Sequence, residues 1–435
     1  MENLVEEEKK QPRFMPRLGL FDATAISVGA IIGGGIFVVT GIAASRAGSA
    51  LVISMLLAAV ISVFTALSFA ELTAWQPREG SVYEYVYQLI SPFAGFLTGW
   101  MWILSNTFAG AAVALGFGYY LSALVPNLPV LNVIAVVIAP SNYVAALVCV
   151  AFTLLNYLGV RESALLNNFL VTAKLLILSF FILLGLWFVK SANFVPFQPF
   201  EAGVLYGAVY IFFAYGGFAR VAVIAEEIKD AKRNVPRAIL LSLAISTVVY
   251  VLVGAVAVGL VGAPSLAAST SPLKEAISAT GNSVAVYVVS VGGLLATASV
   301  LLTSILGVSR MAYAMARRRD LPQALGKLHP RYGTPYLAVW LVGVLASVLV
   351  LFVDLTRVVA VSTFALLFYY TLANVSALRL KTGKRVYPRF VPVLGAATCM
   401  AFLAFTLFAS LQSWVIGVAC LIVGALYYFA KQKLA

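Results

Sequence analysis

Charge is scarce in this sequence. Only 10% of its 435 residues are charged, against 62% that are hydrophobic. A soluble domain of this length carries roughly 25% charged residues on its surface, so a soluble globular fold is excluded. The single histidine, His329, stands beside Pro330. The three cysteines, Cys149, Cys399 and Cys420, lie in separate apolar stretches without ligand spacing. Neither pattern builds a metal site or a catalytic dyad, so no metal, no cofactor and no enzyme activity are expected. The cysteines read as small packing residues. Residues 1–17 are polar and contain Glu6, Glu7, Glu8, Lys9 and Lys10. Without the apolar core and cleavage site of a secretory leader, they are expected to form a cytoplasmic N-terminal tail.

Long apolar runs are what the sequence has in abundance. A run of about 18 residues crosses a hydrocarbon core of about 30 Å as a helix. Inside lipid each backbone amide must be satisfied within the chain, so such runs are helices. Twelve spans are expected: residues 23–42, 51–69, 93–123, 142–158, 169–189 and 204–225, then 238–260, 284–315, 337–353, 358–375, 391–411 and 414–430. Residues 130–139 stop at Pro140 and are expected to be an extracellular loop element. The fold class is an all-α polytopic membrane protein.

The net charge of +13 does not indicate a nucleic-acid partner, because the basic residues sit in short loops between the spans. That distribution suits anionic lipid headgroups and topology. With the N-terminus inside, 24 of the 29 Lys and Arg residues fall on inner loops and inner helix ends, Arg220 and Arg310 among them. The outer loops hold only Arg46, Lys190, Lys274 and Arg357. This bias places both termini in the cytoplasm of a multi-pass plasma-membrane protein.

Two spans are interrupted. The first reads Ser27-Val28-Gly29-Ala30-Ile31-Ile32-Gly33-Gly34-Gly35-Ile36-Phe37, and the sixth reads Phe212-Phe213-Ala214-Tyr215-Gly216-Gly217-Phe218. Each helical glycine costs about 1 kcal/mol relative to alanine. Isolated glycines such as Gly95 and Gly99 suit close helix packing, but three in a row exceed what packing needs. Paired glycine-interrupted spans at matching positions of two repeats point to a transporter's midplane site. Freed amides at a half-helix N-terminus favour a carboxylate, and freed carbonyls accept an ammonium. An α-amino acid carries both. The expected organisation is two inverted repeats of five spans, residues 18–190 and 191–378, followed by residues 379–435 with the last two spans.

Lys174 stands inside the fifth span, about 13 residues from Arg161 and 16 from Lys190. At about 1.5 Å per residue it lies roughly 20 Å or more from either marker. No carboxylate falls at comparable depth to pair with it. A charge so placed marks function by default. Desolvation disfavours its charged form, which suits reversible protonation; a fixed structural cation is the alternative. The carboxylates Asp22, Glu71, Glu84, Glu226 and Glu227 gather toward the inner face, where gate ion pairs or solvated helix ends are both compatible with the sequence.

The segment Glu226-Glu227-Ile228-Lys229-Asp230-Ala231-Lys232-Arg233-Asn234-Val235-Pro236-Arg237-Ala238-Ile239 resembles the amino acid–polyamine–organocation transporters. So do the glycine-rich first span, Ser309-Arg310-Met311-Ala312-Tyr313-Ala314-Met315-Ala316-Arg317, and Gly333-Thr334-Pro335-Tyr336. The resemblance runs over nearly all of residues 18–430 and is nearest to the proton-coupled and cationic-transporter-like branch. It implies that the amides of Gly33, Gly34 and Gly35 hold a substrate carboxylate. The carbonyls of Ile31, Phe213 and Gly216 would hold its ammonium, with Ala214 alongside and Phe213 as an aromatic lid. It implies further that Lys174, facing Gly29 and Ser299, replaces the cation of sodium-coupled relatives of the fold. Ala219 stands where the family often has an acid, and Pro77-Arg78-Glu79-Gly80-Ser81 stands where a Gly-Gly pair is usual. Together these features lead to an expected secondary transporter of small to medium neutral L-amino acids, running as a sodium-independent proton symporter by alternating access. An amino-acid exchanger, or a carrier of cationic amino acids or polyamines, is the alternative. Oligomeric state is left open, and a monomer is compatible with the sequence.

Overall fold

The computed structural model describes residues 16–125, 127–133, 136–381 and 385–434. Most of the expected tail, residues 1–15, lies outside the described residues, as does Lys384 of the inner-loop set.

The first crossing is built in pieces. Helix α1 (Leu20–Ile31) ends at the glycine run, a π-turn follows over Gly35–Val39, and α2 (Thr40–Ala47) completes the passage. Helices α3 (Leu51–Trp75), α4 (Val82–Leu89) and α5 (Pro92–Leu124) come next. Pro92 opens α5 where a missing N–H costs nothing, and the Ser91 hydroxyl accepts from the Ala94 amide at 3.2 Å. The expected loop element is a short hairpin, with Leu131 opposite Ile138 across β1 (Leu131–Val133) and β2 (Val136–Ile138). Helices α6 (Pro140–Leu158) and α7 (Val160–Leu186) meet at Gly159, whose φ of 149° no other residue adopts easily. The α7 helix therefore begins well before the expected span.

The sixth crossing is also broken, into α8 (Ala202–Tyr215) and α9 (Arg220–Val223). Helices α10 (Ala231–Ala268), α11 (Pro272–Ser278), α12 (Ser283–Arg317), α13 (Tyr336–Phe352), α14 (Leu355–Arg379), α15 (Phe390–Ala409) and α16 (Leu411–Leu434) complete the chain. Among the described residues ten stretches are long and apolar enough to cross a membrane; one of them, Leu20–Trp75, contains both the first and second passages, and the apolar helix Tyr336–Phe352 is shorter. Together these account for the twelve expected crossings.

Helix α1 starts, α3 ends and the sixth crossing ends on one face. Leu18 bridges Ile228, the Arg17 amide donates to the Glu227 carbonyl at 2.9 Å, and the Gly80 amide donates to the Val223 carbonyl at 3.4 Å. The first and second passages are therefore antiparallel. The buried core is drawn mostly from α3, α5, α8, α10, α12 and α14, with α1 packed among them. Large aliphatic and aromatic side chains on α7, α10, α13, α15 and α16 point outward instead, including Leu176, Leu183, Phe408 and Leu426. An apolar exterior of that extent belongs in lipid.

Candidate substrate cavity between the broken helices

Breaking two helices inside a bundle leaves carbonyls that lipid cannot satisfy, and each needs a partner. The structure supplies them from neighbouring helices. The Tyr250 hydroxyl on α10 donates to the Ile31 carbonyl at 2.6 Å and is 3.3 Å from the Ala214 carbonyl. The Tyr370 hydroxyl on α14 donates to the Gly216 carbonyl at 2.9 Å. The Ser27 hydroxyl donates to the Phe218 carbonyl at 3.1 Å. The Gly29 and Ile32 carbonyls accept from Lys174. At the second half of the first crossing the helix restarts at Gly34, so its first amides have no intrahelical acceptor.

The two breaks touch through glycine. A Cβ on Gly217 would run into the backbone of Ala30, and one on Gly35 would run into Ala214. Between them lies a cavity of about 20 Å³. That is room for about one water, so in this conformation the helices must part to admit a larger guest.

Of the residues expected around the substrate, Ile31, Gly34, Gly35, Phe213, Ala214 and Gly216 line this cavity. Gly33 does not: its α-carbon faces Val300 and the Ala296 carbonyl on α12. The three expected carbonyls are already in use, Ile31 by Tyr250, Gly216 by Tyr370, and Phe213 by the Gly216 amide at 3.1 Å. Each retains a second lone pair.

Lys174 is fully buried on α7. Its ammonium donates to the Gly29 carbonyl at 3.3 Å, to the Ile32 carbonyl, and to the Ser299 hydroxyl at 2.6 Å. Ser299 in turn donates to Gly29 at 3.0 Å. Three donors meet three neutral acceptors, and the lysine ties α7 to the end of α1 and to α12. Asn167, two turns earlier on α7, presses on Gly29 with both side-chain polar atoms unpaired among the described residues.

Arg220 requires a correction. The sequence reading counted it among inner helix-end cations, whereas the structure buries it in the cavity wall. The four-residue α9 turns its first residue inward. Nε donates to Asn106 Oδ1 at 2.8 Å, and Nη1 reaches the Val300 carbonyl at 3.3 Å and Thr303 Oγ1 at 3.2 Å. Arg310 is likewise buried, 3.0 Å from Glu227.

Below the cavity, ion pairs join the crossings at the face where the chain enters. Arg318 Nε and Nη2 donate to Oε1 and Oε2 of Glu84 at 2.6 and 2.5 Å. Arg317 faces Glu226 at 3.6 Å, and Lys431 faces Asp320 at 3.3 Å. Of the acids expected there, Asp22 instead closes the start of α1, accepting from the Gly19 amide at 2.9 Å, and Glu71 accepts from the Val386 amide at 3.2 Å. Glu79 was not singled out by sequence. It is buried beside Glu226 and Glu227, and neither of its carboxyl oxygens has a hydrogen-bond partner among the described residues. Burial first, then the charges of Glu227 and Glu226, push its carboxyl well above the ordinary value of 4.5. Tyr250 and Tyr370 were also missed, because a tyrosine in an apolar span gives no positional signal before the fold is known.

A helical membrane bundle with two interrupted crossings facing one cavity defines the class. The chain belongs to the amino acid permease family, whose pattern it matches over residues 18–428. It is 32% identical to a branched-chain amino acid permease of Bacillus subtilis, over 100% of this chain and 96% of that protein. It is 32% identical to a methylthioribose transporter of the same organism, over 98% of this chain and 95% of that protein. An uncharacterized transporter of Mycobacterium tuberculosis is 36% identical over 97% of this chain and 93% of its own length. Mouse cationic amino acid transporter 4 is 32% identical over 88% of this chain but only 62% of its own length.

Proposed function

We propose that this protein is a secondary active transporter of L-amino acids, working by alternating access in the plasma membrane with its basic face in the cytoplasm. The observation that carries the reading is the convergence of both helix breaks on one cavity. The open amides at Gly34 and Gly35 suit an α-carboxylate, and the carbonyls of Ile31, Phe213 and Gly216 have lone pairs left for an α-ammonium. A bilobal site of that kind fits the branched-chain permease among the relatives. Among the described residues no carboxylate lines the cavity, so a cationic side chain would lack a counter-charge there.

The coupling ion in this reading is the proton, carried by Lys174. Protonated, the ammonium bridges α1, α7 and α12 as a bound cation would. Neutral, it loses a donor and loosens that bridge, biasing the balance between closed and open bundles. Such a bias needs only a few kcal/mol of differential interaction. A second reading is favoured by the completeness of the Lys174 hydrogen bonds: a fixed cation serving an obligate exchanger.

Uptake into amino-acid-free proteoliposomes in sodium-free buffer, with and without an inward proton gradient, separates the two. Stimulation by the gradient is expected. No response to the gradient, with strong stimulation by internal amino acid, would replace symport with exchange.

A further inference from the structure

Resting on the reading of the cavity as the amino-acid site, we infer that Arg220 is its specificity determinant and that the transported amino acid bears an acidic side chain. The expectation of a neutral substrate rested on a backbone-lined site without a midplane acid, and with Arg220 placed at an inner helix end. Arg220 changes that premise.

A guanidinium stays protonated throughout the physiological pH range. Arg220 is 5% exposed and lies at the sixth-crossing break, within the apolar stretch Ala202–Val223. Its protein contacts are the amide oxygen of Asn106, the Val300 carbonyl and the Thr303 hydroxyl, all neutral. Among the described residues no carboxylate comes within ion-pair distance of it, whereas the buried Arg310 and the half-buried Arg317 and Arg318 each have one. A cation buried in a membrane bundle without a counter-ion is costly, and such residues face a substrate path.

The pattern of its contacts shows where the counter-ion would sit. Nε and Nη1 are held by α5 and α12, which fixes the plane of the fork. Nη2 has no hydrogen-bond partner among the described residues, and the residue faces the cavity together with Gly34, Gly35 and Ser362. A planar group pinned on one edge and open on another is suited to a carboxylate. With the α-carboxylate at the Gly34 and Gly35 amides, a second carboxylate on the side chain completes the neutralisation of the site. Aspartate and glutamate carry that group on the shortest stems, which suits the small cavity.

The test is uptake of labelled L-glutamate, L-glutamine, L-aspartate and L-asparagine by the full-length protein in proteoliposomes, since each pair differs in charge at nearly constant shape. Wild type should prefer the acid over its amide by at least about tenfold, because a site built for a charged group rejects the analogue lacking it. Arg220→Gln should erase or invert that preference, and Arg220→Lys should retain part of it. Size-exclusion profile and thermal melting report whether each variant is folded; if Arg220→Gln is not, the wild-type pairs and Arg220→Lys decide alone. Equal or better uptake of the amides by wild type overturns the inference while leaving amino-acid transport intact. Absence of uptake of any amino acid, across a wider panel, would overturn the cavity assignment and this inference together. Replacing chloride by gluconate should change nothing; a chloride requirement for amide uptake would mean that Arg220 holds an inorganic anion, and would also overturn it.

Discussion

Lys174 and Arg220 come to the same turn of α12. The Lys174 ammonium is 2.6 Å from the Ser299 hydroxyl, and Arg220 Nη1 is 3.3 Å from the carbonyl of the next residue, Val300. Thr303, one turn on, donates to the Ser299 and Val300 carbonyls while lying 3.2 Å from Arg220. One cation holds the break of the first crossing and the other stands at the break of the sixth, so a single stretch of α12 touches both broken crossings that line the cavity.

Replacing Lys174 by Met should keep the bulk of the side chain and remove all three donors. The Ile32 carbonyl then loses its partner, and Gly29 keeps only Ser299. The folded protein should survive, as judged by monodispersity in detergent, but uptake should no longer respond to a proton gradient. A Lys174→Met protein whose uptake keeps the wild-type pH response would remove the lysine from the coupling reaction.

Tyr250→Phe deletes one hydroxyl that serves two freed carbonyls, Ile31 and Ala214. Leaving a buried acceptor unsatisfied costs about 1–3 kcal/mol. Thermal melting in detergent should drop by several degrees, and transport should slow, since the hydroxyl clamps the two broken crossings together. Tyr370→Phe, which frees only Gly216, should be milder.

Gly217→Ala should be worse than Gly34→Ala. At Gly217 a methyl group meets the backbone of Ala30, including 2.6 Å to the Ile31 amide nitrogen, and backbone cannot yield. At Gly34 it meets the Val113 side chain at 2.8 Å, which can turn aside. Overpacking of the first kind costs about 1–3 kcal/mol or more. Expression and melting temperature should order the variants as wild type, Gly34→Ala, Gly217→Ala. At the same position Gly34→Val should abolish amino-acid binding in folded protein, because its branches occupy the carboxylate end of the cavity.

Glu79 gives a pH dependence with a definite sign. Its carboxyl is raised in the folded protein by burial and by two neighbouring acids, so the folded state binds its proton more tightly than the unfolded chain does. Its contribution to stability is whole below the ordinary value of 4.5 and is lost as pH rises through the folded value. Glu79→Gln mimics the protonated form. It should therefore leave melting at pH 5 nearly unchanged and raise it at pH 8, relative to wild type. A lower melting temperature at pH 8 would show that the ionised carboxylate stabilises the fold.

Much of this architecture was written in local pattern. Apolar runs set the twelve crossings, because length against bilayer thickness is a one-dimensional quantity. The glycine runs at 33–35 and 216–217 marked the two breaks, because backbone freedom is a property of the residue itself. Lys174 was visible as a lone charge at depth, and its distance from flanking loop residues could be counted along the chain. Only the folded chain could decide which carbonyls the breaks set free would find Tyr250, Tyr370, Ser27 or Lys174, since those partners lie between 142 and 219 residues away, except for Tyr250 and Ala214, which are 36 apart.

Arg220 and Glu79 mark the boundary most clearly. In sequence Arg220 sits just past a span's glycines and reads as one more basic helix end; a four-residue helical turn aims it into the cavity instead. Glu79 reads as a loop acid, yet the fold buries it beside two other carboxylates, Glu226 and Glu227. Hydropathy and spacing determine where a residue stands along the membrane normal. Which way its side chain points, and what charge stands beside it, are fixed by packing between helices distant in the chain, and on those two facts the chemistry of the cavity and of the ion pairs below it depends.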